Sequence, residues 1–107
     1  MGIFDAFFNL ADINSGVEEY KAKDGAVLLD VRTPEEYREG HIEGSINVPL
    51  DNITVIGSTV KNVNTPLYVY CLSGARSGQA VSYLKKSGYT NVTNIGGISN
   101  YRGKVMR

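Results

Sequence analysis

Apolar side chains occupy Ala26 to Val31 (Ala-Val-Leu-Leu-Asp-Val) almost without a break, the pattern of a strand covered on both faces of its sheet. Asp30 is its one polar exception. A second strand is expected over Leu67 to Tyr70, where Tyr, Val and Tyr supply side chains that favour pleated structure, Pro66 marks the start and Cys71 follows the end. Shorter strands are expected at Ser45 to Val48 and Asn91 to Ile95, each bounded by Gly, Pro or Asn. A brief stretch near Ile13 brings the count to about five.

Helical signals alternate with these strands. Thr33-Pro34-Glu35-Glu36 places Thr at the N-cap, Pro at the first helical position and Glu at the third, with Tyr37 as apolar anchor. Ser15-Gly-Val-Glu18 repeats the capping-box pattern ahead of Glu19 to Ala22, and Gly25 lies just beyond the end. A third helix is expected from about Arg76 or Ser77 to Ser87, with Ala80, Val81 and Leu84 on one face, Lys85 and Lys86 in the last turn and Gly88 as the stop. Between Asp51 and Asn64, Ile53, Ile56, Val60 and Val63 keep helical spacing while Thr, Val, Ile and Gly57 oppose a helix, which predicts a broken one. Strands alternating with helices predict an α/β domain with a mostly parallel sheet and helices on both faces.

At 107 residues the whole chain reads as one domain, residues 1–12 being an N-terminal extension or a first helix. Eleven basic residues balance eleven acidic ones, so no field of one sign favours nucleic acid or an anionic membrane. The apolar N-terminus is interrupted by Asp5 and Asn9 and has no basic residues ahead of it, unlike a secretory signal, and no apolar run reaches transmembrane length. A cytoplasmic protein is expected. One cysteine and one histidine, His41, leave no ligand set for a metal centre.

That cysteine stands where a strong strand gives way to a loop and a helix, the place where ligands collect in parallel α/β sheets. After Cys71 come Leu72, Ser73, Gly74, Ala75, Arg76 and Ser77, small except for Leu72 and Arg76, so that successive backbone N–H groups can turn toward one anion. Gly74 permits the sharp turn. The N-terminus of the following helix adds its positive end at the same point, and both effects favour a thiolate. Cys71 is therefore the expected nucleophile, and residues 72–77 the expected binding loop. Arg76 offers a planar charged fork for an oxyanion donor or for a nearby carboxylate that closes the loop. Asp30 and Arg32 are possible supporting residues: Asp30 can partner the loop or Arg32, or simply accept N–H bonds from the next turn, and Arg32 can bind an anion near the mouth or pair with Glu35, Glu36 or Glu39.

These segments together resemble the rhodanese family. The likeness runs through Leu29-Asp30-Val31-Arg32-Thr33-Pro34-Glu35-Glu36-Tyr37, then Gly40-His41-Ile42-Glu43-Gly44-Ser45-Ile46-Asn47-Val48-Pro49-Leu50, then Val69-Tyr70-Cys71 with its loop, then Gly96-Gly97-Ile98. It implies a five-stranded sheet flanked by helices, no organic or metal cofactor, and a sulfurtransferase. Such an enzyme moves sulfane sulfur from a donor, thiosulfate or a persulfide, to a thiophilic acceptor through a persulfide on Cys71. Two positions depart from the family: Leu72 stands where many members carry a second cation, and Tyr101 where Trp is frequent.

Two other functions compete. The neutral Leu72 suits a persulfide carrier loaded by a partner enzyme such as a cysteine desulfurase. A cysteine phosphatase is disfavoured, because such enzymes place one more residue between Cys and Arg than the four found here. His41 invites a triad with Cys71 and Asp30 but belongs to a Gly-His-Ile turn of structural character, and an ionised thiolate needs no base. Gly96-Gly97 lacks a Lys and the spacing of a phosphate loop and reads as a tight turn. Lys85, Lys86, Arg102, Lys104 and Arg107 read as solvated charge.

Overall fold

The computed structural model describes residues 12–107. Most of the stretch expected as an N-terminal extension or first helix lies outside them. In chain order the elements are α1 (Ile13–Ala22), β1 (Val27–Asp30), α2 (Pro34–Glu39), β2 (His41–Ile42), β3 (Ile46–Asn47), a 3-10 helix (Leu50–Val55), α3 (Ile56–Thr59), β4 (Leu67–Cys71), α4 (Ala75–Lys86), β5 (Val92–Gly97), a 3-10 turn (Ile98–Asn100) and β6 (Val105–Met106). Strands β3, β1, β4 and β5 form a parallel sheet in that order, while β2 and β6 pair as a separate antiparallel ribbon.

The α/β class and the parallel sheet are as expected, but among the described residues the sheet has four strands, not five. The stretch near Ile13 is the first turn of α1. Asp12 caps this helix, its Oδ1 accepting from the Asn14 N–H at 3.1 Å, so the helix begins before the expected Ser15 cap. Ser15 instead donates its hydroxyl to Asp12 Oδ2 at 2.7 Å. A short polar acceptor followed by Ile13 and Val17, four apart and both buried, is enough to set a helix with one apolar face.

Strand alternation divides the core in two. Leu67, Val69 and Cys71 of β4 face one side, packed with Leu29, Val31, Ile53, Ile56, Ala80 and Leu84; Tyr68 and Tyr70 face the other, with Ile13, Val17, Leu28, Ile42 and Ile95. Helix α4 and the segment after β3 therefore cover one face, and α1 covers the opposite one. The broken helix is present, kinked at Asn52, but it ends at Thr59 and Val63 is exposed beyond it. It forms against its propensities because Ile53, Ile56 and Val60 are buried, each gaining about 1.5–3 kcal/mol, whereas ordinary poor helix formers cost up to ~0.7 kcal/mol apiece and Gly57 about 1 kcal/mol. Among the described residues no helix is long and apolar enough to cross a membrane.

Helix α1 approaches β5 so closely that a Cβ on Gly16 would overlap the Ile95 side chain. Gly16→Ala is accordingly expected to lower stability by about 1–3 kcal/mol in urea unfolding. Gly57→Ala, with open space around it, is expected to leave stability unchanged or slightly raised. Equal midpoints for Gly16→Ala and the parent protein would contradict this close approach.

Candidate active site

Cys71 closes β4, and its loop turns into α4 at Gly74, whose φ of 109° is open to glycine and strained for other residues. That turn aims the Gly74 N–H back at the cysteine, donating to Sγ at 3.0 Å. The thiol in turn donates to Ser77 Oγ at 3.4 Å, a contact that reverses when the sulfur is ionised and the one hydroxyl proton turns from Asn94 Oδ1 to the sulfur. Helix α4 starts at Ala75, slightly earlier than the sequence suggested, so Ser77 sits in its first turn with its backbone N–H available to the sulfur.

Cys71 is 1% exposed, and burial by itself pushes its thiol up. The Ser77 hydroxyl and the backbone N–H groups of Ser77, Gly74 and Ser73 together outweigh burial, and the net displacement is downward, toward thiolate. The sulfur is thus nearly enclosed yet surrounded by donors. Among the expected loop residues, Leu72, Ser73 and Ala75 are exposed, Gly74 and Arg76 are half-buried, and Ser77 is fully buried.

A second wall comes from β5, and its key side chain, Asn94, was not anticipated. Asn94 Oδ1 accepts from the Ser77 hydroxyl at 2.8 Å and from the Gly96 N–H at 2.9 Å, while its Nδ2 donates to the Gly74 carbonyl at 3.3 Å. One amide therefore ties the helix start, the loop and the strand together. A polar residue between Thr93 and Ile95 was the only sign in the sequence. The Gly96-Gly97 pair is a strand irregularity and not a tight turn: the register shifts after Val69 so that Tyr70 pairs with Gly96, whose φ is 99°. At Gly97 a Cβ would strike the Leu72 carbonyl and lie 2.6 Å from Ser73 Cα, so glycine lets the loop rest on the strand.

The charged residues sort into two ion pairs. Arg76 donates from both terminal nitrogens to the Glu36 carboxylate, at 2.8 and 2.9 Å, holding the loop to the start of α2. Glu36 also accepts from the Thr33 N–H at 2.9 Å, completing the expected capping box. Arg76 and Thr33 hold the Glu36 carboxyl at about 2, well below its ordinary 4.5. Arg32 pairs with Asp30, not with the glutamates of α2: Asp30 accepts from the Arg32 N–H at 2.9 Å and from Nε and Nη2 at 3.0 and 2.6 Å. Arg32 Nη2 donates to the Gly40 carbonyl as well. Asp30 lies on the Tyr70 side of the sheet, opposite Cys71, and Arg32 crosses the Tyr70 ring at 5.7 Å. His41 lies away from the sulfur, stacked on Tyr37 with Nδ1 2.8 Å from the Tyr37 carbonyl.

Residues 13–104 match the family described as rhodanese-like domain. The chain is 42% identical over 73 residues to the thiosulfate sulfurtransferase PspE of Escherichia coli, covering 67% of this chain and 70% of that protein. It is 37% identical over 79 residues to the putative sulfur carrier protein YrkF of Bacillus subtilis, covering 73% of this chain and 42% of the other. Among solved structures, a rhodanese with anions from E. coli is similar at a TM-score of 0.72 and 37% identity, over 77% of this chain and 98% of that one.

Two outcomes follow from the hydrogen bonds around Sγ and Glu36. Because the Ser77 hydroxyl favours the thiolate, Ser77→Ala is expected to move the pH profile of Cys71 alkylation to higher pH and to slow alkylation roughly tenfold at neutral pH. An unshifted profile would remove Ser77 from the site. The lowered pKa of Glu36 means its pairing stabilises the fold above about pH 4.5 and is lost as pH falls toward about 2. The difference in melting temperature between the parent protein and Glu36→Gln should therefore close over that range.

Proposed function

The chain belongs to the rhodanese-like domain family, and from that premise we propose that it is a sulfurtransferase carrying sulfane sulfur as a persulfide on Cys71. The observation that carries this reading is the Gly74 N–H on Sγ at 3.0 Å, backed by the Ser77 hydroxyl and by the downward shift of the thiol. A thiolate so held is a ready nucleophile toward divalent sulfur.

The cycle has two displacements. Cys71 Sγ attacks the terminal sulfur of the donor, a bond forms from Sγ to that sulfur, and the bond from it to the rest of the donor breaks with its electron pair. Thiosulfate would leave as sulfite, and a persulfide as a thiolate. The product, Cys71–S–S⁻, is again an anion, and amides that favoured the thiolate are preorganised to favour it. A thiophilic acceptor such as cyanide then attacks the outer sulfur, the new sulfur–sulfur bond breaks, and the pair returns to Sγ. Neither step needs a proton at the sulfur, which agrees with His41 lying elsewhere.

Burial supports the same class of donor. With Cys71 only 1% exposed, the transferred group must be slim as well as terminal, as a single sulfur atom is and a tetrahedral phosphoryl group is not. A second reading, a carrier loaded by a partner protein, is favoured by one observation: Leu72, next to the nucleophile, is apolar and 45% exposed.

Mass spectrometry of the parent protein and Cys71→Ala, after incubation with thiosulfate, an alkyl persulfide or a cysteine desulfurase with cysteine, tests both readings. The expected result is an adduct of one sulfur atom on the parent protein alone, released by cyanide as thiocyanate. An unmodified mass under every condition would refute the persulfide. Loading from the desulfurase alone would establish the carrier.

A further inference from the structure

Neither Arg76, beside the sulfur loop, nor Arg32, whose guanidinium lies on the Tyr70 face of the sheet, is free to receive a small dianion. Arg76 is held by Glu36 through two bonds of 2.8 and 2.9 Å, and Arg32 is held by Asp30, itself fully buried. Both arginines border a cavity of about 50 Å³ at the carboxyl ends of β1 and β4, with Asp51 beside them and Val31, Pro49 and Leu50 as its apolar wall. Glu36 cancels the charge of Arg76 and Asp30 that of Arg32, so Asp51 is the one uncompensated charge among the residues lining this cavity. Leu72, the residue after the nucleophile, adds exposed apolar surface and no charge.

We propose that Glu36 and Asp51 set the specificity of this site against dianionic donors, so that its sulfur comes from an organic persulfide, R–S–S⁻. This rests on the sulfur-transfer reading above and specifies its donor. Thiosulfate brings two negative charges close together and would have to displace Glu36 from Arg76 or approach an occupied guanidinium beside two carboxylates. A persulfide brings one charge, and its organic group can lie on apolar surface. The exchange balances: Cys71–S⁻ and R–S–S⁻ yield Cys71–S–S⁻ and R–S⁻, one sulfur–sulfur bond forming as another breaks. The leaving thiolate takes the electron pair, and no oxidant or reductant is consumed. Glu36 acts through Arg76 and is a positioning residue.

The test compares donors across charge variants of the full chain. Loading of Cys71 is measured with thiosulfate, with benzyl persulfide and with the protein-bound persulfide of a cysteine desulfurase, for the parent protein, Glu36→Gln and Asp51→Asn. Gln at the third position of α2 still completes a capping box, so the fold has a reason to persist; Asp51 is exposed and supplies an independent variant. The parent protein is expected to load from a persulfide at least about tenfold more efficiently than from thiosulfate, and Glu36→Gln to raise the thiosulfate-to-persulfide ratio about tenfold, through KM and not kcat. Asp51→Asn should shift the ratio in the same direction by less. Loading from benzyl persulfide assigns a small-molecule source, and loading from the desulfurase alone a protein-bound one. A parent protein that prefers thiosulfate, or ratios unchanged within about twofold in both variants, would overturn the specificity while leaving sulfur transfer intact. An absence of any adduct from all three donors would overturn sulfur transfer itself, and this inference with it.

Discussion

The Gly74 N–H can reach Cys71 Sγ only if the chain reverses within three residues of the strand end, and much of the surrounding structure serves that reversal. It requires the positive φ at Gly74 and a helix beginning at Ala75, so that the first-turn amides and the Ser77 hydroxyl converge on one sulfur. It also requires a neighbouring strand that yields space. Gly97 yields it by carrying no Cβ where the Leu72 carbonyl passes, and Asn94 secures the result by bonding Ser77, Gly96 and Gly74 at once. The loop is therefore held by backbone geometry on one side and by one side-chain amide on the other.

Burying a thiol and lowering its pKa are opposed demands, since removal from water disfavours the charged form. Directed hydrogen bonds resolve the conflict here without a fixed positive charge on the sulfur. Arg76 lies within electrostatic reach of Cys71, yet its charge is largely met by Glu36. Stabilisation of the anion comes instead from oriented dipoles that are already in place before any reaction. Such a site favours an ionised sulfur without a free positive charge beside it.

The two ion pairs differ in kind. Asp30 and Arg32 are buried on the face opposite Cys71, where Asp30 accepts from the backbone and side chain of Arg32, and breaking such a pair from one side leaves an uncompensated charge. Glu36 and Arg76 are about one-third exposed and join α2 to the start of α4, so solvent screens them and less stability depends on them. The first pair braces the strand end; the second ties the start of α4 to α2.

Local pattern in the sequence determined a good deal: the two central strands, the Thr33 to Glu36 capping box, the helix after Cys71 with its Gly88 stop, the break in the helix after residue 51, and the turn at Gly74. Each of these depends on neighbours a few residues apart, where periodicity and capping act directly. What only the tertiary structure decided lies between segments distant in the chain. The start of α1 at Ile13, capped by Asp12, removed an expected strand because Ile13 and Val17 pack under β4 and β5. Glu36, legible as a cap, turned out to hold Arg76 forty residues away, and Asn94, an unremarkable polar residue in a strand, turned out to hold the loop. Strand alternation put Asp30 and Cys71 on opposite faces. Partner choice among several carboxylates and arginines is set by sheet order and face, which no local signal encodes, and so the chemistry of Cys71 was written in its own segment while the charge around it was written across the fold.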